Sequence, residues 1–418
     1  MPFRRQYELL RRAPGFRALF FATGASGVGT YLALIALIVD VYDRTGSAAW
    51  VSALLIVEFL PMLVVGLALG PLIDRLPRRN LMIGADLVRF GVFLTLPFAP
   101  SALAIVALAA VAGLATGFFR PAVYAGLPNL VAEDDLPAAN SLLQAVESVA
   151  ALVPIVGGAI VAATGPDANY VVNAFTFLVS AVLLLGIPAD RLQQRAAPSR
   201  GHLRDLAEGF RVVVRSRPLL TVLVVWTLVE IGIGHANVSW VVLSKEALDG
   251  GDFGFGFLMA ASGLGLLAGS LLGGPWVERR RMAEAYGAAL ALMALGSGLA
   301  ALSPNVWLAG VFVVALGVGN GVAVVCNAVL VQRGARDEVR GRAFTVIMSV
   351  NVAALGLAMA AAGPFTDAVG ARWVWAFIAV VYAAAAAVAL ALARPIPAPH
   401  TTVTVAPLAS GAAPAPPP

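Results

Sequence analysis

The sequence predicts an all-α membrane protein, with twelve transmembrane helices in two pseudo-symmetric six-helix bundles. Three observations carry that prediction. Of 418 residues, 60% are hydrophobic and 12% charged, against roughly 25% charged in an average soluble domain. Apolar runs long enough to cross roughly 30 Å of hydrocarbon recur at regular spacing. A series of glycine, proline and acid–arginine positions also repeats at an offset of 204 residues.

The expected spans, numbered 1 to 12, cover residues 16–42, 48–73, 80–98, 101–124, 137–163, 168–187, 218–244, 253–277, 284–302, 305–331, 343–366 and 372–393. They divide the chain into a first bundle over 1–187, a central loop over 188–217, a second bundle over 218–393 and a tail over 394–418. Glycine and alanine crowd the spans, which suits close helix packing in lipid. In the central loop Leu203, Leu206, Phe210 and Val214 recur at helical spacing, with Arg204, Asp205, Glu208, Arg211 and Arg215 on the other face. That pattern predicts an amphipathic helix on the membrane surface. The Pro/Ala/Thr-rich tail predicts disorder.

Charge sets the orientation. With the N-terminus inside, the cytoplasmic segments hold every Lys and Arg except Arg44, Arg89, Lys245 and Arg372. Positive residues favour the cytoplasmic side, so both termini are expected there, in a multi-pass protein of the bacterial inner membrane. The net charge of +5 is then a topology signal and not a nucleic-acid footprint. The opening MPFRRQYELLRRAPGFR does not read as a secretory signal. The single cysteine, Cys326, falls inside span 10, so no disulfide framework is expected. Neither paired His/Asp groups, metal-ligand spacing nor a nucleotide-binding P-loop is found, which argues against an enzyme and against an ATP-driven pump within this chain. No cofactor or metal is expected.

The repeat is clearest after spans 2 and 8. Gly70-Pro71-Leu72-Ile73-Asp74-Arg75 is matched by Gly274-Pro275-Trp276-Val277-Glu278-Arg279, and Gly113 and Gly117 by Gly317 and Gly321. Two homologous halves imply a substrate site between them at mid-membrane. Asp74 ends a helix at the cytoplasmic surface, where a carboxylate can approach the positive end of a neighbouring helix. Arg75, Arg78 and Arg79 offer forked donors for carboxylates or lipid phosphates, with plain membrane anchoring as the simpler role. Pro154, Gly157 and Gly158 should bend span 5 and admit another helix closely.

Carboxylates inside a membrane are costly and mark pathways or proton relays. Glu58, Glu147 and Glu230 each lie about ten residues from a span end, roughly 15 Å deep at 1.5 Å per residue. Span 7 has the richest polar face, with Trp226, Glu230 and Asn237 on one stripe and His235 close by. Glu230 is therefore the first candidate for proton handling; its plainer role would be a hydrogen-bonded acid between helices. His235 reads more simply as a packing residue. Asp86 and Arg89, one turn apart in span 3, are expected to pair.

Residues 70–79 resemble the G-x-L-x-D-R-x-G-R-R signature of the major facilitator superfamily, with Pro77 in place of a glycine. Gly113–Ala122, Leu127-Pro128, Ala139-Asn140, Gln332-Arg333 and Arg340-Gly341-Arg342 resemble its branch of macrolide-type efflux pumps and siderophore exporters. Val153-Pro154-Ile155-Val156-Gly157-Gly158 is similar to that family's antiporter motif, with Val153 in place of a glycine. The resemblance implies a proton-coupled exporter of small amphipathic molecules that works as a monomer by alternating access. It implies that Asp74, Arg75, Arg78, Arg79, Glu278 and Arg279 form a conformational latch. It further implies that spans 1, 4, 7 and 10 line the cavity. Thr23, Ser26, Thr30, Trp226, His235, Asn237, Asn320 and Asn327 are then cavity candidates, helix–helix bonding being their alternative role. Unlike other drug:proton antiporters, span 4 carries no buried arginine. Two other readings fit the same chain: a carrier of lysophospholipid or lipid-like molecules, and a transport-inactive sensor or scaffold.

Overall fold

Proline and glycine punctuate the chain. Prolines stand in the first turn of several helices, at Pro14, Pro154, Pro166 and Pro218, where a missing N–H costs nothing. Gly46, Gly165, Gly251 and Gly370 have positive φ and let consecutive helices reverse within one to a few residues.

The computed structural model describes residues 2–68, 76–150, 152–192, 202–278, 281–335 and 337–393. Fifteen α-helices run through them: α1 (Pro2–Arg12), α2 (Pro14–Thr45), α3 (Ala48–Ala68), α4 (Arg78–Thr95), α5 (Ala102–Gly126), α6 (Leu136–Ala150), α7 (Pro154–Thr164), α8 (Pro166–Leu185), α9 (His202–Arg215), α10 (Arg217–Val242), α11 (Gly251–Glu278), α12 (Met282–Leu302), α13 (Val306–Gly334), α14 (Asp337–Val369) and α15 (Ala371–Ala393). No strand occurs among the described residues. Ten helices there are long and apolar enough to cross a membrane, and shorter apolar stretches cover Ala48–Pro61 and Pro154–Thr164. The outer surface carries large apolar side chains such as Leu302 (79% exposed) and Leu357 (74% exposed). A soluble protein could not leave so many in water; lipid is their solvent.

The two halves pack by one scheme. In the first half α2 lies on α8, α3 on α5, and α4 on both α5 and α8. In the second, α10 lies on α15, α11 on α13, and α12 on both α13 and α15. Even the helix caps repeat. Ser101 accepts from the Ala104 N–H at 3.3 Å, and Asn305, 204 residues later, accepts from the Leu308 N–H at 3.0 Å.

Three features depart from the expected spans. Span 5 is not one helix: α6 ends at Ala150 and α7 begins at Pro154, which cannot donate to the preceding turn. A helix precedes span 1, because Leu9 of α1 is buried against the first half while Gln6 Nε2 donates to Ser141 Oγ of α6 at 3.1 Å. The central helix α9 is present, and Phe210 and Val214 are exposed. Its neighbouring face, however, packs on protein. Val213 is fully buried, and Gly209 approaches the Arg342 backbone of α14 so closely that a Cβ would stand 2.6 Å from the carbonyl oxygen. The tail lies outside the described residues.

Candidate functional site

Each half buries polar groups in its core, and the halves meet at the end of the molecule that is poor in arginine. Both features bear on function, beginning with the meeting point.

Two helix crossings join the halves there, α3 with α14 and α7 with α11. Both are tight enough to need glycine. A Cβ on Gly158 would lie 2.7 Å from the Asp252 carbonyl oxygen and 3.0 Å from Gly256 Cα. A Cβ on Gly363 would lie 2.6 Å from the Ala48 carbonyl oxygen. Side chains then fasten the joint. Asp367, at the last turn of α14, accepts from Ser47 Oγ at 2.7 Å and from the Ala48 and Ala49 N–H groups at 2.6 and 3.1 Å. It thus caps the N-terminus of α3 from the other half, a site that favours negative charge. Ser52 Oγ donates to the Met359 carbonyl at 2.7 Å.

Around this cap, the Tyr42 hydroxyl donates to Glu246. Lys245 bonds both Asp43 of the first half and, at 2.7 Å, Asp252 of the second. Lys245 is the chain's sole lysine. Arg44 is held by Asp40 at 2.6 Å, and Arg372 by the Ser303 and Ala247 carbonyls at 2.9 and 2.7 Å, so the joint rests on rigid corners.

The sequence-predicted site residues fall in several places. Trp226 and Asn327 border one pocket of about 380 Å³ between α10, α13 and α14, in the arginine-rich half of the molecule. Glu230 sits one helical turn from Trp226 on α10 and is half-buried. Tyr286 donates to Asn327 at 2.6 Å. Asn320 and Asn237 are half-buried, and Asn320 Oδ1 has no partner among the described residues. His235 stands apart. It is buried between Phe365 and Phe377, and its Nδ1 bonds the Ile231 carbonyl of its own helix at 2.8 Å.

Within the first half, Thr30 is exposed and donates to the Ser26 carbonyl at 2.7 Å. Ser26 itself is buried, 3.4 Å from Arg89 Nη1. Arg89 pairs with Asp86 at 2.5 Å and lies between the rings of Phe119 and Phe177, at 4.5 and 4.2 Å. The Thr23 hydroxyl is buried, with no hydrogen-bond partner among the described residues. Glu58 is half-buried on α3, whose backbone meets Gly113 of α5; among the described residues it makes no hydrogen bond or ion pair. Pro154, Gly157 and Gly158 open α7, and Gly158 forms the crossing described above.

Arg78 Nη1 bonds the Ala125 and Leu192 carbonyls at 2.9 and 3.1 Å, and Arg79 bonds the Ile187 carbonyl at 3.1 Å. Both thereby tie helix ends within the first half, where carbonyl groups carry the negative end of the dipole. Asp74, Arg75, Arg279 and the side chains of Glu147 and Glu278 lie outside the described residues.

Sequence reasoning passed over Tyr42, Asp43, Lys245, Glu246, Asp252, Asp367 and Asn351. One signal was available: Tyr42 and Glu246 are 204 residues apart, the repeat offset, so they hold equivalent places in the repeat.

The family described as Major Facilitator Superfamily matches residues 19–244 and 228–415, nearly the whole chain. The multidrug efflux pump Tap of Mycolicibacterium fortuitum is 30% identical over 373 residues, spanning 84% of this chain and 89% of the relative. Macrolide efflux protein A of Streptococcus pyogenes is 24% identical over 383 residues, 85% of this chain and 90% of the relative. Among solved structures, a bacterial homologue of the iron transporter ferroportin in an inward-facing state superposes with a TM-score of 0.72 at 14% identity, covering 92% of this chain and 99% of that one.

Proposed function

This chain belongs to the major facilitator superfamily, a family of non-enzymatic membrane transporters, and on that premise we propose that it is a proton-coupled exporter of small amphipathic molecules, working by alternating access. Its cargo is a drug, antibiotic or siderophore. The observation that carries this reading is the joint at the arginine-poor end. Two glycine crossings, a cross-half helix cap and a lysine bridge close that end, while the pocket bordered by Trp226, Asn327 and Asn351 lies toward the other. A carrier that closes one end while its site faces the opposite end has the geometry for alternating access. The efflux relatives named above support an outward direction of transport.

In this proposal the chain crosses the bacterial inner membrane twelve times as two six-helix bundles and acts as a monomer, with both termini cytoplasmic. The arginine-rich end is then cytoplasmic and the joint closes the outer face. Asp74 with Arg75, Arg78, Arg79, Glu278 and Arg279 would latch the cytoplasmic end in the opposite state. Protons would act through Glu230, with Glu58 and Glu147 next in line. Glu230 is favoured because it stands one helical turn from Trp226, which borders the pocket.

Inverted vesicles supply the test. Wild-type protein should concentrate an exported drug against its gradient, and a protonophore should abolish that accumulation. Glu230→Gln keeps the shape and removes the titratable charge; it should lose gradient-driven accumulation while retaining substrate binding. Accumulation that survives the protonophore would sink proton coupling. A Glu230→Gln protein that still concentrates drug would move the role to Glu58 or Glu147.

A further inference from the structure

Two apolar grooves flank α15 at the arginine-poor end. The first, of about 620 Å³, runs between α14 and α15, past Phe365, Val369, Phe377 and Val380. The second, of about 580 Å³, runs between α12 and α15, past Leu295, Leu299 and Leu302. Trp373 and Ala376 of α15 border both, so the grooves straddle a single helix. At 1.5 Å per residue they run roughly 10–12 Å along their helices, most of one leaflet's hydrocarbon depth. Trp373 is 71% exposed at the head of the pair, and an indole in such a place suits a membrane interface.

Positive charge gathers at the same head. Arg372 borders the second groove and is the sole charged residue along either one among the described residues. Its Nη1 donates to the Ala301 and Ser303 carbonyls at 2.5 and 2.9 Å, and its Nη2 to the Ala247 carbonyl at 2.7 Å. A guanidinium has five N–H donors, so two are left without a partner among the described residues. α15 also starts directly after Gly370, which has no side chain to cap it, and a helix start attracts anions. Asp367, two residues before Val369, is taken up by Ser47 and the first N–H groups of α3.

We infer that this corner is a lipid site: an anionic diacyl phospholipid, such as phosphatidylglycerol, straddles α15 with its phosphate at Arg372 and one acyl chain in each groove. Phosphate and guanidinium match as forked, opposite charges. Among the described residues no carboxylate lines either groove to receive the ammonium of a zwitterionic headgroup, so the anionic lipid gains more. The apolar grooves between α4 and α5 and around α2, α6 and α8 differ. They share no residue, and no charged side chain lines them.

Photolabelling tests the site with the full chain in liposomes, using phosphatidylglycerol that carries a diazirine halfway down one chain. Label should concentrate on residues 295–302, 365–369 and 373–380. Unlabelled phosphatidylglycerol should compete roughly tenfold better than phosphatidylethanolamine or single-chain lysophosphatidylglycerol. Arg372→Gln should need roughly tenfold more lipid for half-maximal labelling. That variant also loses bonds to backbone carbonyls, so Ala376→Phe serves beside it. The ring fills the wall common to both grooves, leaves Arg372 in place and should remove the same labelling. Label spread evenly over every lipid-facing helix would mean ordinary boundary lipid only and would overturn the site, as would unchanged labelling in Ala376→Phe. Equal competition by phosphatidylethanolamine would overturn the anionic class, and equal competition by lysophosphatidylglycerol the two-chain fit.

Discussion

Asp367 accepts three of the hydrogen bonds that cross the joint. One carboxylate satisfies a hydroxyl and two backbone N–H groups at the start of α3, on the far half of the molecule. Replacing a helix cap by alanine costs about 0.5–2 kcal/mol, and here that cost falls only on the closed state. Asp367→Ala should therefore shift the population away from closure by roughly two- to thirtyfold. A cysteine at Ala49, which packs at the α3–α14 crossing, would report the shift through faster reaction with a membrane-impermeant maleimide. Labelling at the wild-type rate would reduce Asp367 to an ordinary helix cap. Neither Asp367 nor its partners were legible beforehand, since no local pattern ties residues 47–49 to a carboxylate 318–320 positions away. The Asp86–Arg89 pair was legible, because one helical turn fixes its geometry whatever the fold.

At the scale of elements, α7 and α14 do equivalent work. Gly158 on α7 and Gly363 on α14 each bring a helix of one half against a helix of the other. The antiporter-like motif thereby acquires a physical role: Pro154 starts a fresh helix, and Gly158 seats it on Gly256. Gly158→Val would push a branched side chain into the Asp252 carbonyl and the Gly256 backbone. The protein should still reach the membrane at normal levels but lose net transport, with label access at the arginine-poor end raised. Full transport in Gly158→Val would show that the crossing tolerates separation.

The sequence announced these helices unevenly. Long apolar runs are visible because hydrocarbon demands them, whereas the break between α6 and α7 was expected only as a bend. The helix α1 went unseen because its burial is confined to one face around Leu9, and its polarity reads as a charged leader. Its counterpart α9 was visible as an amphipathic pattern. Its docking through Gly209 was not, since close backbone approach leaves no periodic trace.

For the whole molecule, the 204-residue repeat is the organising fact. It recurs in the packing scheme, in the caps at Ser101 and Asn305 and in the meeting of Tyr42 with Glu246. In the proposed cycle the two halves rock about that joint, so opening one face should close the other. Spin-label distances report this directly. One pair, at Pro100 and Pro304, sits on exposed turns at the arginine-poor end; another, at Ala132 and Arg281, sits at the arginine-rich end. The single native cysteine, Cys326, is buried and out of reach of the label. As pH and an exported drug are varied, the 100–304 distance should lengthen whenever the 132–281 distance shortens, with two discrete populations exchanging in opposite directions. Distances that stay fixed under every condition, or that lengthen together at both ends, would contradict alternating access in this protein.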